Sequence, residues 1–228
     1  MNKFYLFLSL LCFCTFGLSA QTVVGANLDG TSDFPFTFLD QFVEANNGGD
    51  ESDNVYLLEP GGSYFFTSRA TWNFNVEFRA DGEGARPTIG RVNLAGDPPQ
   101  DMYRGFGDLT FDGIHLTPGD EGPEASQYET GSIRPSGDNT KVTFRNCIIE
   151  KDRQAVLRLI GTGVSITFQS CEIRNLGDFE AFQGNGRVIT PRQTFPDSII
   201  IKDCYIHNLL DRVYIGFRQL GLNYFEFS

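Results

Sequence analysis

Lysine is nearly missing from this chain. It occurs at Lys3, Lys141, Lys151 and Lys202, so positive charge rests on arginine. Basic residues as a whole are in the minority, 18 against 29 acidic ones, for a net charge of −11. A phosphate backbone is held by a basic field, so this balance argues against nucleic acid as the bulk partner. It argues equally against simple adsorption to anionic membranes, and its bland reading is solubility. Histidine is scarcer still, with His115 and His207 alone. The two face no recognisable Cys, Ser or Asp constellation and read as turn or surface residues. HExxH, GxSxG, Walker and GxGxxG contexts are all lacking. No Asp-rich loop has EF-hand spacing, although acidic secreted chains often bind calcium. Helical periodicity is almost absent, and no apolar stretch after the first twenty residues approaches membrane-spanning length.

What the chain does have is repetition. Val142-Thr143-Phe144-Arg145-Asn146-Cys147-Ile148-Ile149 recurs as Ile166-Thr167-Phe168-Gln169-Ser170-Cys171-Glu172-Ile173. It recurs again as Ile199-Ile200-Ile201-Lys202-Asp203-Cys204-Tyr205-Ile206, the copies starting 24 and 33 residues apart. Each copy alternates apolar and polar residues, the period-two signature of a strand with one buried face. Asn175-Leu176 and Asn208-Leu209 follow two of them. Upstream, Leu109-Thr110-Phe111-Asp112-Gly113-Ile114 is the same phrase with Ile114 in the cysteine place, and Val76-Glu77-Phe78-Arg79 lies 33 residues earlier. Downstream, Phe225-Glu226-Phe227-Ser228 begins another copy. Self-similarity at this period means stacked supersecondary units, here β-rich ones, and points to a parallel β-helix.

These phrases, with the strand–bend–strand opening Val55-Tyr56-Leu57-Leu58-Glu59-Pro60-Gly61-Gly62-Ser63-Tyr64-Phe65, resemble the right-handed parallel β-helix proteins of the pectate-lyase-like superfamily. More narrowly, they are similar to secreted bacterial β-helix domains associated with polysaccharide processing. The resemblance covers residues 34–228 and implies an all-β solenoid of about six coils. It speaks for the fold more than the activity, because the superfamily holds lyases, hydrolases, adhesins and catalytically silent members.

Residues 1–20 read as a secretory signal peptide: Lys3, an apolar run from Phe4 to Leu18, then Ser19-Ala20 before Gln21. Export to the medium or the cell surface follows, and Cys12 and Cys14 leave with the peptide. Residues 21–33 form a lead-in and residues 34–228 the β-helix domain. Residues 34–46 are the one good helix candidate, with Phe38, Leu39, Phe42 and Val43 at helical spacing, Ser32 or Asp33 as cap and Pro35 in the first turn. Such a helix suits a plug over the N-terminal end of the stack. Two Asp-, Gly- and Pro-rich inserts, residues 80–102 and 118–136, are expected to leave the stack as loops. The repeat phrase breaks off after Phe227, so the 228 residues are expected to be the N-terminal part of a longer protein, cut within a coil.

Cys147, Cys171 and Cys204 fall in register and are expected to form an inward row. Buried free thiols acting as apolar fillers suit parallel strands best, with one disulfide or a metal-like role as alternatives. Counted back from each strand start, Arg69, Arg134, Arg158, Arg192 and Arg218 recur once per coil, and Arg104 more loosely. A stripe of guanidinium forks suits carboxylates or sulfates repeated along an extended polyanion; alternatively each arginine pairs with neighbouring carboxylates and staples coils together. Asp178 and Asp211 each fall seven residues after their cysteine, and such stacked carboxylates recruit a cation or shift a pKa, or are surface turn residues without further role.

The resemblance implies β-elimination on a uronate polymer, in which Arg or Lys removes the proton beside a carboxylate neutralised by calcium or arginine. On that reading Arg158 and Arg192 are the base or carboxylate clamp, Arg69, Arg134 and Arg218 bind substrate, and Asp178 and Asp211 hold calcium. The expectation is therefore a protein that binds, with or without cleaving, an acidic extracellular polysaccharide along its coil face. The alternative is a non-catalytic surface or adhesin-like rod.

Overall fold

The computed structural model describes residues 21–25, 37–47, 54–92, 101–118, 132–177, 186–192, 194–214 and 222–228. Residues 1–20, expected to be a signal peptide, lie outside them. The fold is all-β with one short helix, and its strands run parallel in long sheets, a β-solenoid-like arrangement.

The first sheet stacks eight strands in chain order: β1 (Gln21–Val24), β3 (Asn54–Leu58), β5 (Val76–Ala80), β7 (Leu109–Asp112), β9 (Lys141–Arg145), β12 (Val164–Gln169), β15 (Pro196–Lys202) and β17 (Tyr224–Phe227). The second stacks seven: β2 (Thr37–Phe38), β4 (Ser63–Phe66), β6 (Thr88–Arg91), β8 (His115–Leu116), β10 (Ile148–Glu150), β13 (Glu172–Leu176) and β16 (Tyr205–Leu209). A third face consists of β11 (Ala155–Leu159) paired with β14 (Arg187–Pro191). Single parallel bridges extend it: Ala70–Tyr103, Tyr103–Ile133, Ile133–Leu157 and Ile189–Tyr214.

The repeat starts are partners in the first sheet, where Val76, Leu109, Val142, Ile166, Ile199 and Phe225 pair in succession. Two residues on, Tyr56, Phe78, Phe111, Phe144, Phe168 and Ile201 form an inward column, all buried. Its rings stack at centroid distances of 5.8, 5.6, 5.4 and 4.7 Å from Tyr56 to Phe168. Strand spacing brings like side chains close to ring-stacking distance, so one column repeats one favourable contact.

A single left-handed residue turns the first sheet into the second. Gly113, Asn146, Ser170 and Asp203 have φ of 73, 53, 54 and 53°. L-residues with a β-carbon resist this region, and Gly, Asn and Asp tolerate it best. The Asn/Ser/Asp step before each cysteine is thus a corner. The residue after the corner points inward: Ile114, Cys147 and Cys171 are buried and Cys204 is half-buried. The three thiols are free, and each donates to the carbonyl two residues earlier, of Arg145, Gln169 and Lys202.

Two expectations need correction. The helix α1 spans Leu39–Asn46, and Thr37 and Phe38 ahead of it pair with β4 instead. A strand position in the second sheet outcompetes a further helical turn, and Phe38 caps without a side-chain bond. Leu39 and Val43 are buried and Phe42 meets Tyr56 edge-on, so α1 covers the first rungs. The buried Asp40 anchors it, accepting bonds from Thr67 and Ser68. Residues 80–102 are not one loop, since β6 and the buried Met102 belong to the stack. The stretch 81–86 is exposed, while residues 93–100 and most of the second insert lie outside the described residues. At the far end, Phe225 and Phe227 occupy inward columns yet are 48% and 60% exposed.

Candidate functional site

Arg104, Arg134 and Arg158 each follow a bridged residue of the third face, Tyr103, Ile133 and Leu157. Alternation along a strand places them on the opposite side from those buried neighbours. The three come from successive rungs. In the next rung the matching place is held by Thr190, which pairs with Arg158, and the exposed Arg192 lies two residues beyond. Arg69 immediately precedes Ala70 at the start of the face. Arg218 lies outside the described residues.

The centre of the group is Asp101, fully buried. Its carboxylate lies 2.9 Å from Arg69 Nη2, 2.8 Å from Arg104 Nε and 3.8 Å from Arg134 Nε. Arg134 is 3% exposed. Burial lowers its pKa to about 10, with Asp101 opposing the shift and Arg158, Arg104 and Arg69 adding to it. Arg158 is half-buried and donates to Gln154 at 2.8 Å. Its pKa is lowered by burial and then by Arg192 and Arg104. Arg69, Arg104 and Arg134 thus converge on one carboxylate, with Arg158 within its electrostatic reach and Arg192 within that of Arg158, giving a local positive field on an acidic protein.

The expected substrate-binding residues Arg69 and Arg134 are therefore partly spoken for, one paired with Asp101 and one buried. Of the expected catalytic pair, Arg158 is half-buried and Arg192 exposed. Of the expected calcium pair, Asp178 lies outside the described residues. Asp211 engages both oxygens, one with Arg187 and one with Arg212, each at 2.6 Å. Among the described residues no group of three or more His, Cys, Asp or Glu is placed to hold a metal.

Two clusters escaped the sequence reading. At the corner between the second and third faces, Asp152 is fully buried and its Oδ1 accepts from Ser132 N and Oγ at 3.0 and 2.5 Å. Burial pushes its carboxyl up to about 7, against the Ser132 bonds and the Arg91 charge. On the outer side of the second sheet runs a ladder. Glu150 accepts from His115 (2.8 Å) and Arg174 (2.8 Å), while Glu172 accepts from Arg174 (2.9 Å) and His207 (3.1 Å). Both histidines are strand residues with carboxylate partners, not turn residues. A signal existed: Glu150, Arg174 and His207 each stand three residues after a cysteine.

No protein-family model matches this chain, and no curated protein or solved structure does either. Among the described residues no helix is long and apolar enough to cross a membrane.

Proposed function

We propose that the chain is a secreted right-handed parallel β-helix of about six coils, of the pectate-lyase-like type. On this reading its arginine face binds an acidic extracellular polysaccharide. The observation that carries it is the convergence of Arg69, Arg104 and Arg134 on the buried carboxylate of Asp101, continued along the same face by Arg158 and, in its field, Arg192. Parallel rungs lie about 4.8 Å apart, so the guanidiniums form a series matched to charges repeated along an extended polymer.

If the polymer is cleaved, the chemistry is β-elimination. Arg158, its pKa lowered by burial and by Arg192, is then the base, and Arg192 clamps the carboxylate that acidifies the proton beside it. A second reading, a non-catalytic rod, draws on the Asp101 pairs, which tie Arg69 to Arg104 and so staple rungs together.

Replacing Arg158 and Arg192 by alanine separates the two. Under the binding reading the double variant loses retention on a polygalacturonate column while its melting temperature stays within a few degrees. A variant that melts far lower and is retained as before overturns it. Absorbance of unsaturated uronate on a panel of acidic glycans then decides between binding and cleavage.

A further inference from the structure

The outer side of the first sheet carries a second, chemically different recess. It is an open cleft of about 320 Å³ whose walls include Val55, Asn75, Glu77, Arg79, Asp108 and Thr110. Asn75 and Asp108 sit in neighbouring rungs just ahead of β5 and β7. Glu77 and Thr110 are paired partners two residues further along those strands. The four side chains thus make a two-by-two array, with Val55 beside Glu77 in the next rung.

Three of the four are held at one end. Asn75 Oδ1 accepts from Asp108 N at 2.9 Å, and Asp108 Oδ1 accepts from Lys141 N at 2.8 Å. Glu77 Oε1 is held by Arg79 Nε at 2.9 Å and by Arg145 Nη2 at 3.3 Å. Among the described residues the other ends take no hydrogen bond: Asn75 Nδ2, Asp108 Oδ2, Glu77 Oε2 and the Thr110 hydroxyl. The cleft therefore presents oriented donors and acceptors side by side, with the largely buried Val55 beside them.

We propose that this cleft binds an uncharged sugar unit, independently of the arginine face. A pyranose offers what the array lacks: a ring of hydroxyls that donate to carboxylates and accept from an amide. Three carboxylates, Glu77, Asp108 and Asp112, against the Arg79 and Arg145 guanidiniums leave the cleft negative, which disfavours the anionic sugars suited to the other face. A bare cation would use the acceptors and leave the Asn75 amide without a role.

The test is a titration of the ¹⁵N-labelled protein with methyl glucoside, methyl galactoside and methyl mannoside, with glycerol and calcium chloride as controls. At least one glycoside is expected to give saturable amide shifts at Glu77, Asp108 and Thr110, with half-saturation in the range of about 1–10 mM. Asp108→Asn keeps the acceptor for Lys141 N, and Thr110→Val keeps the β-branched shape. Each should weaken that response about tenfold while leaving the rest of the spectrum unchanged. Absence of saturable shifts overturns the proposal, as do equal shifts with glycerol or shifts with calcium alone. The Arg158/Arg192 double variant should respond to the glycoside as the parent does.

Discussion

At Phe144 the repeat becomes an energy. The ring is fully buried between Phe111 at 5.4 Å and Phe168 at 4.7 Å, stacked nearly parallel to both. Removing it would leave a void in the middle of a column, where backbones fixed by ladder hydrogen bonds cannot close in. Phe144→Ala is therefore expected to cost about 3–5 kcal/mol, read by chemical denaturation. Phe144→Leu, which keeps most of the volume, should cost clearly less. Equal losses for the two would mean that the column is held by its backbone and not by its rings. The period-two pattern made this column legible in the sequence, because every second residue of a strand faces one way whatever lies around it. Asp101 was not legible. It sits in a Gly-, Asp- and Pro-rich stretch that reads as a loop, and its burial depends on arginines from two other rungs.

At the scale of the element, the His115–Glu150–Arg174–Glu172–His207 ladder ties β8, β10, β13 and β16 across the outer side of the second sheet. The His115 hydrogen bond, followed by Arg174, holds the Glu150 carboxyl at about 2 against its ordinary 4.5. A carboxyl whose folded pKa is depressed contributes stability that is complete above the unfolded value and fades as pH falls through the folded one. Glu150 should thus contribute fully above pH 4.5 and lose its share, on the order of 2 kcal/mol, between there and pH 2. Denaturant midpoints across that window should fall more steeply for the parent than for Glu150→Gln. Parallel curves would show that the ladder is surface decoration.

On the scale of the whole molecule, the two ends differ. The first rungs lie under α1, whereas β17 ends the first sheet with Phe225 and Phe227 in inward columns and largely exposed. An unpaired strand edge beside apolar side chains is a template for association. Sedimentation of residues 21–228 should therefore show concentration-dependent self-association, reduced by Phe225→Lys with Phe227→Glu. A parent chain that stays monomeric across the concentration range would remove this edge as a contact. Charge is segregated on the same scale, since a chain of net charge −11 gathers five arginines on one face.

By itself the sequence determined the rung: its strands, its inward column, the corner residue before each cysteine and the register of the first sheet. All follow from chemistry local to a strand or a single left-handed turn, so they repeat wherever the phrase does. Only the tertiary structure decided the sites. Successive rungs of the first sheet are 22 to 34 residues apart, from Asn54–Val76 to Gln21–Val55, so an offset counted along the chain drifts once a connection changes length. That is how Thr190 comes to hold the place expected of Arg192. The Asp101 cluster, the Asp152 corner and the Glu150 ladder are each assembled from separate rungs. Their pKa values and exposure arise from stacking distance and from shared burial, neither of which is written in any one rung.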